Sequence, residues 1–276
     1  MDLLSLLSAT LFSVFVFVLG SCFGSFLNVV IYRIPAGLSL IYPPSRCPTC
    51  LRQLRKYDNV PILGWIWLKG KCRFCKTPIS IRYPIVEALT GTLFLLVYSK
   101  FGWSLPTLGG WVLLCWLISL AIIDVDTMTL PNALTRSGLV IGLLFQVILG
   151  LSLTGTIAGA VTQLMGGIFA AVLGLWLFDL ITLGASMAFG QTAMGGGDAK
   201  LAAMIGAWTS WQLLLLTGFL ACLLGSVVGG IGIAQGWISR RQPIPFGPFL
   251  AIGAAISALF GNVLISSYMK IFFPSL

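Results

Sequence analysis

The chain has 276 residues, of which 58% are hydrophobic and only 8% are charged, and its formal net charge is +9 at pH 7. Several apolar runs approach 20 residues, the length that an α-helix needs to cross a bilayer. This composition indicates a helical membrane protein and excludes a soluble globular domain. The chain contains no histidine, which excludes Ser-His and Cys-His nucleophile pairs and histidine-based metal centres. Catalysis would therefore depend on carboxylates, thiols, lysines or a cofactor.

The first apolar stretch covers residues 1–32 and is expected to be a retained membrane helix rather than a signal peptide. No basic residue precedes Arg33, so the positively charged start of a signal peptide is missing. Small residues at positions 20, 21, 24 and 25 recur at helical spacing, which lets a second helix approach closely. Asn28 is expected to form a hydrogen bond between helices, with contact to substrate as the alternative.

A second segment, residues 33–83, has the composition of a module that faces water. It holds ten of the sixteen basic residues and four of the seven cysteines, and it is rich in proline. The four cysteines form two CxxC pairs, and such a set suits structural zinc with no open coordination position. Two disulfides or free thiols are the alternative. The module has too little core to fold alone, so metal binding is expected to contribute folding energy. The ligands would be Cys47, Cys50, Cys72 and Cys75.

Residues 84–276 are predicted to form a seven-helix membrane domain, which gives about eight transmembrane helices in an all-α polytopic fold. The segment at 157–184 is longer than a bilayer requires and the one at 198–209 is shorter, so the ends of these two spans are the least well defined. The predicted spans are 84–101, 106–125, 137–153, 157–184, 198–209, 212–235 and 247–271.

The distribution of basic residues predicts the orientation. If the cysteine module is cytoplasmic, eight spans place 14 of the 16 basic residues inside, with only Lys100 and Lys270 outside. The positive-inside rule then favours both termini outside. A reducing cytoplasm also favours zinc over disulfides at the four cysteines. The residues placed inside after the module are Arg136, Lys200, Arg240 and Arg241.

Two acids from distant parts of the sequence are predicted to meet at the cytoplasmic boundary. Asp124 ends the span 106–125, and Asp198 follows three glycines at the start of a later span. Two carboxyls close together in a poorly solvated site share a proton, so one can activate water while the other polarises a peptide carbonyl. Asp126 competes with Asp124, but it begins a polar turn and suits a cap or solvated acid.

Two further roles are open to the glycine run before Asp198. It could be a plain loop or a phosphate cradle, although no Gly-Lys-Ser/Thr sequence follows it. Among the remaining acids, Asp58 is expected to be solvated. Glu87 and Asp179 are expected to pair with basic residues or to line polar contacts between helices, and Asp179 has the least certain role.

Taken together, these motifs resemble the type IV prepilin peptidases, the GxGD-type membrane aspartic proteases. The likeness covers most of the chain, and one departure is Gln191-Thr192, where the family often has a Lys-Glu pair. The matching segments are 24–33, the two cysteine pairs with their flanks at 44–50 and 70–75, Arg82 to Glu87, Asp124 to Pro131, Gly195 to Lys200 and the proline-rich turn 243–248.

The resemblance implies that Asp124 and Asp198 are the catalytic pair of a peptidase in the bacterial inner membrane, with its active site facing the cytoplasm. The substrates would be type IV prepilins and type II secretion pseudopilins, cut after the glycine that ends a short basic leader. It also implies N-methylation of the new terminus with S-adenosylmethionine, associated with the cysteine module. Anionic headgroups of the bilayer are the expected partners of the basic residues, and no nucleic acid is expected.

Two other classes of function remain open on the sequence alone. A transporter or channel would also place acids such as Asp124 and Asp198 inside a helical bundle. A membrane adaptor would use the cysteine module to dock an assembly partner, and it would tolerate Asn at both positions.

Overall fold

The computed structural model describes residues 3–189, 195–237, 239 and 243–273. Within these ranges the regular structure is helical, apart from two isolated β-bridges in the cysteine module. Met194, the Gln191-Thr192 departure and the basic residues Arg240 and Arg241 lie outside the described residues. The helices are α1 (Leu3–Arg33), α2 (Leu63–Trp67), α3 (Arg82–Phe101), α4 (Leu105–Thr127), α5 (Asn132–Thr154), α6 (Ile157–Phe189), α7 (Gly196–Trp208), α8 (Trp211–Ala234) and α9 (Gly247–Phe272), with a 3₁₀ turn at Lys56–Asn59.

Among the described residues, seven helices are long and apolar enough to cross a membrane, namely α1, α3, α4, α5, α6, α8 and α9. The all-helical membrane class is therefore confirmed. The predicted eighth span at 198–209 is α7, which has 13 residues. At 1.5 Å per residue it is about 20 Å long, which is shorter than a hydrocarbon core of about 30 Å.

The chain divides into two compact units, residues 1–119 and 120–276. In the first unit α1 packs closely against α3, as the small residues predicted. A Cβ atom at Gly24 would lie 2.7 Å from Glu87 Cα, and one at Gly20 would lie 2.8 Å from Gly91 Cα. Such separations are below ordinary van der Waals contact, so these helices can approach only because glycine lacks a side chain.

Polar and aromatic contacts complete the packing of the first unit. Asn28 Nδ2 donates to the Tyr83 carbonyl oxygen at 3.1 Å, which is the hydrogen bond between helices expected from the sequence. Phe94 and Trp111 stack with ring centroids 5.1 Å apart, and Trp111 Nε1 donates to the Phe94 carbonyl. The polar groups of Asn28 and Trp111 thus have partners, and the rings fill the space between α3 and the start of α4.

In the second unit the short helix α7 is at the centre. Every residue from Asp198 to Trp208 except Lys200 is buried. A Cβ atom at Gly206 would lie 2.5 Å from the Ala170 carbonyl of α6, and Trp208 Nε1 donates to the Gly138 carbonyl of α5 at 2.8 Å. Packing against α5 and α6 therefore fixes the position of α7, and with it the first turn that carries Asp198.

Candidate active site and metal centre

Asp124 lies near the end of α4, with 5% of its surface exposed. Its Oδ2 atom accepts a hydrogen bond of 2.9 Å from the backbone N–H of Gly247, at the start of α9. A Cβ atom at position 247 would lie only 2.7 Å from the same oxygen. The backbone of Gly247 therefore both orients this carboxylate and leaves room for it.

Asp198 lies in the first turn of α7, with 7% of its surface exposed. Burial and the neighbouring charge of Asp124 raise the pKa of Asp198 to about 7. The two acids predicted from the sequence are thus brought within electrostatic reach of each other inside the second unit. Because one negative charge disfavours the second, the pair retains a proton near neutral pH.

Two further contacts join the segments that carry these acids. Lys200 Nζ donates to Asn132 Oδ1 at 2.9 Å, which links α7 to the start of α5. A Cβ atom at Gly197 would lie 3.1 Å from Leu130 Cβ, in the loop that follows α4. The glycine run therefore packs against the loop after Asp124, and this brings the two acidic segments together.

The outer part of the glycine run is open. Gly195 and Gly196 are exposed, and no described residue lies within 4 Å of a Cβ atom at Gly196. Exposed glycine backbone can be approached closely by an extended peptide, which can form main-chain hydrogen bonds with it.

The remaining acids of the second unit lie in different surroundings. Asp126 is exposed, two residues after the buried Asp124. Asp179 is also exposed, on α6. Burial therefore distinguishes Asp124 from Asp126, while the position of Asp179 assigns it no role.

The first unit contains the four cysteines of the predicted metal site. Their sulfur atoms all lie within 4.8 Å of one another, with Sγ atoms 3.7 Å apart for Cys47 and Cys75 and 4.0 Å apart for Cys50 and Cys72. Four sulfurs bound tetrahedrally at about 2.3 Å from zinc would be about 3.8 Å apart. The four side chains therefore fit a metal ion of this size and coordination.

The two CxxC pairs form turns of the same design. Each turn is closed by an isolated β-bridge, Arg46 with Gln53 and Lys71 with Pro78. The residue after the second cysteine has positive φ in both turns, 58° at Leu51 and 61° at Lys76. Each turn thus presents two thiols on one side, so two turns facing each other form a four-sulfur cage.

The environment of Cys75 favours the thiolate, which is the form that binds metal. The hydroxyl and backbone of Thr77 lower the pKa of Cys75 to about 6, with Thr77 Oγ1 3.2 Å from the sulfur. Deprotonation before metal binding removes part of the cost of losing the thiol proton.

The expectation that Asp58 is solvated was wrong. Its side chain is 2% exposed and forms an ion pair with Arg73, whose Nε atom lies 2.9 Å from Asp58 Oδ2. The Arg73 guanidinium holds the pKa of the Asp58 carboxyl below its ordinary value. The pair ties the turn around Cys72 to the segment between the two cysteine pairs, so it supports the module as a bidentate contact.

Glu87 lines polar contacts, one of the two roles expected for it. It is 8% exposed; its Oε2 accepts from the Ile62 N–H at 2.7 Å, and the Ser25 hydroxyl also donates to it.

Gly247 is the residue of the site to which the sequence motifs assigned no role. The proline-rich turn 243–248 that contains Gly247 was the signal, but nothing in the local sequence shows that this glycine contacts Asp124.

Comparisons with known proteins give a consistent result. Residues 18–101 match the bacterial peptidase A24 N-terminal domain, and residues 111–230 match the type IV leader peptidase family. No solved structure matched the chain. The chain is 38% identical to the prepilin leader peptidase/N-methyltransferase of Stutzerimonas stutzeri, over 92% of each chain. Proteins of the same name are 36% identical in Aeromonas hydrophila, over 93% of each chain, and 36% in Neisseria gonorrhoeae, over 87% of each. The chain therefore belongs to the type IV leader peptidase family, which is the family of the prepilin leader peptidase/N-methyltransferases.

Proposed function

We propose that this protein is a membrane peptidase that removes the basic leader of type IV prepilins and type II secretion pseudopilins after glycine, and that it then N-methylates the new N-terminal residue. Membership of the family supports both activities, since relatives that match nearly the whole chain carry both in their names. The resemblance in the sequence supplies the cleavage position.

The observation that carries the peptidase mechanism is the buried pair Asp124 and Asp198. One carboxyl, ionised, takes a proton from water, and the water oxygen attacks the carbonyl carbon of the scissile peptide. The protonated carboxyl donates a hydrogen bond to the carbonyl oxygen, where negative charge develops. When the tetrahedral intermediate collapses, the C–N bond breaks, and the carboxyl that took the proton from water gives it to the leaving amine. The Gly247 N–H holds Asp124 through this step, because its hydrogen bond to Oδ2 fixes the carboxylate.

The exposed backbone at Gly195 and Gly196 supports a place for the substrate. An extended leader can lie against this edge, next to Asp198 in the first turn of α7. The apolar helix of the pilin would remain in the bilayer against the lipid-facing sides of the enzyme. The distribution of basic residues supports a cytoplasmic position for the pair.

The sequence resemblance supports methylation by the first unit. The four cysteines of this unit would hold a structural zinc ion. S-adenosylmethionine, when bound, would supply the methyl group that the new N-terminal amine accepts. In this account the zinc ion takes no part in chemistry, since four thiolates leave no open position on it. We also propose that the chain consists of a first helix (residues 1–32), a zinc module (33–83) and a membrane peptidase domain (84–276).

The test is cleavage of a prepilin by the purified protein in proteoliposomes with no ion gradient, followed by product masses. The proposal predicts loss of the leader after its final glycine, and a further gain of one methyl mass only when S-adenosylmethionine is added. A transporter would leave the prepilin intact under these conditions. An adaptor would also leave it intact, and an Asp198→Asn variant of an adaptor would still support pilus assembly in cells.

A further inference from the structure

Helix α2 has an exposed apolar face, although it belongs to a module with the composition of a water-facing segment. Leu63, Ile66 and Trp67 are 60%, 57% and 82% exposed. Their positions follow the i, i+3, i+4 spacing that places side chains on one side of a helix. Three large apolar side chains grouped in this way indicate a surface that something other than water covers.

The opposite side of α2 is fixed to the second cysteine turn. Trp65 Nε1 donates to the Ile79 carbonyl at 3.0 Å, and the Ile79 N–H donates to the Gly70 carbonyl at 2.7 Å. A Cβ atom at Gly70 would lie 2.9 Å from the Trp65 ring, so the indole packs directly on this turn. The folded cysteine module therefore sets the direction in which the apolar face of α2 points.

Contacts with α1 and α3 hold α2 beside the ends of two membrane helices. The N–H of Ile62, the residue before α2, donates to Glu87 Oε2. Glu87 is five residues after Arg82, the first residue of α3, which is about 7.5 Å along a helix axis. Pro61 borders a cavity together with residues of the last turns of α1, such as Val29. Helix α2 therefore begins at the level where α1 and α3 reach the membrane surface.

The charges next to α2 in the sequence are basic. Lys69 and Lys71, just after the helix, are exposed, and no acidic residue occurs between Asp58 and Glu87. A lysine beside an apolar surface can lay its stem along that surface and extend its ammonium group to lipid phosphates. This charge pattern complements a bilayer that contains anionic headgroups.

We infer that α2 is an interfacial anchor, and that the side chains of Leu63, Ile66 and Trp67 insert among the lipids at the membrane surface next to the cysteine module. Tryptophan suits this depth, because its ring is apolar while its indole N–H is polar. The anchor would hold the cysteine module against the bilayer at a point other than α1 and α3. This role requires neither the peptidase nor the methyl-transfer activity.

The experiment measures the fluorescence of Trp67 in proteoliposomes of phosphatidylcholine and phosphatidylglycerol, with Trp65 of the same helix as the control. The spectrum of Trp67→Phe is subtracted from that of the native full-length protein, and the spectrum of Trp65→Phe is subtracted in the same way. Thermal unfolding checks that both variants are folded; Trp67 is exposed, so its replacement by another ring should leave the fold intact. The quenchers are lipids brominated near the headgroup or near the chain end, and iodide on both sides of the membrane.

The Trp67 signal should lose intensity with brominated lipid, and most strongly with bromine near the headgroup, because an interfacial helix lies about 5–10 Å into the headgroup boundary. It should be protected from iodide. The Trp65 signal should respond less to brominated lipid, since its ring packs on Gly70. Quenching of Trp67 by iodide and not by lipid would place the face in water and overturn the inference. Protection from both quenchers would also overturn it, since a second copy of the chain would then cover the face.

Discussion

Replacing Gly247 with alanine would test how the structure positions Asp124. The added Cβ atom would lie 2.7 Å from Asp124 Oδ2 and 3.1 Å from its Cγ, so the carboxylate must move away from the Gly247 N–H. A hydrogen bond to a charged group contributes about 1.5–3 kcal/mol. If this contribution is lost in the transition state, kcat/KM for prepilin cleavage should fall about 10-fold to 150-fold, since each ~1.4 kcal/mol is a factor of ten.

The assay is cleavage of purified prepilin in proteoliposomes, compared with two matched glycine variants. Gly230→Ala on α8 has no described atom within 4 Å of the new Cβ and should cleave at the native rate. Gly253→Ala on α9 places its Cβ 2.7 Å from the Thr217 carbonyl, so it should lower thermal stability without contacting Asp124. Methylation of a mature pilin with a free N-terminus should persist in Gly247→Ala, because methylation is proposed for the first unit, whereas Gly247 lies in the second.

Two results would refute this reasoning. One is a folded Gly247→Ala protein that retains kcat/KM within about threefold of the native value, a change of less than ~0.7 kcal/mol. The other is an equal loss of cleavage in Gly253→Ala, which would assign the effect to general destabilisation of α9.

Three further predictions concern the metal, the buried ion pair and pH. Cys72→Ser should reduce bound zinc, measured by mass spectrometry of the metal, from about one ion per chain to almost none; a metal-free native protein with two disulfides would contradict the cage. Asp58→Asn should lower the melting temperature at pH 7, because Arg73 holds the Asp58 pKa below its ordinary value. The ion pair's contribution to stability is present above the ordinary Asp pKa and is lost as the pH falls through the pKa of Asp58 in the folded protein. A difference in melting temperature between the native protein and Asp58→Asn that stays constant across this pH range would count against the ion pair. Cleavage should decline as the pH rises through about 7, where Asp198 loses its proton. Methylation should increase over the same pH range, because the substrate amine deprotonates. If the rates of cleavage and methylation changed with pH in the same way, the proposal that different groups control the two reactions would be contradicted.

Much of the fold follows from patterns that act locally. A run of about 20 apolar residues can satisfy its backbone in lipid only as a helix, so the long membrane helices were predictable from the sequence. The four-sulfur cluster was also predictable, because two CxxC pairs present thiols at a spacing that suits one ion. The close approach of α1 and α3 followed from small residues at helical spacing, and Gly24 against Glu87 is its clearest instance.

Other features depend on contacts that no local pattern contains. Helix α7 resembles a short membrane span in composition, but its central position comes from packing against α5 and α6, with Gly206 against Ala170. Asp58 and Arg73 are 15 residues apart and do not share a helix or strand, so no spacing rule predicts that they pair. The bond between Gly247 and Asp124 spans 123 residues, so the motifs identified both segments without showing that they meet.

The central claim, that Asp124 and Asp198 form the catalytic pair, is tested most directly by three conservative substitutions. Asp124→Asn, Asp198→Asn and Asp126→Asn are purified, their folding is compared by thermal unfolding, and prepilin cleavage is followed by product mass. The account predicts folded but inactive proteins for the first two and retained cleavage for Asp126→Asn, since Asp126 is exposed while both members of the pair are buried. Cleavage that survives the loss of either Asp124 or Asp198 would contradict the account.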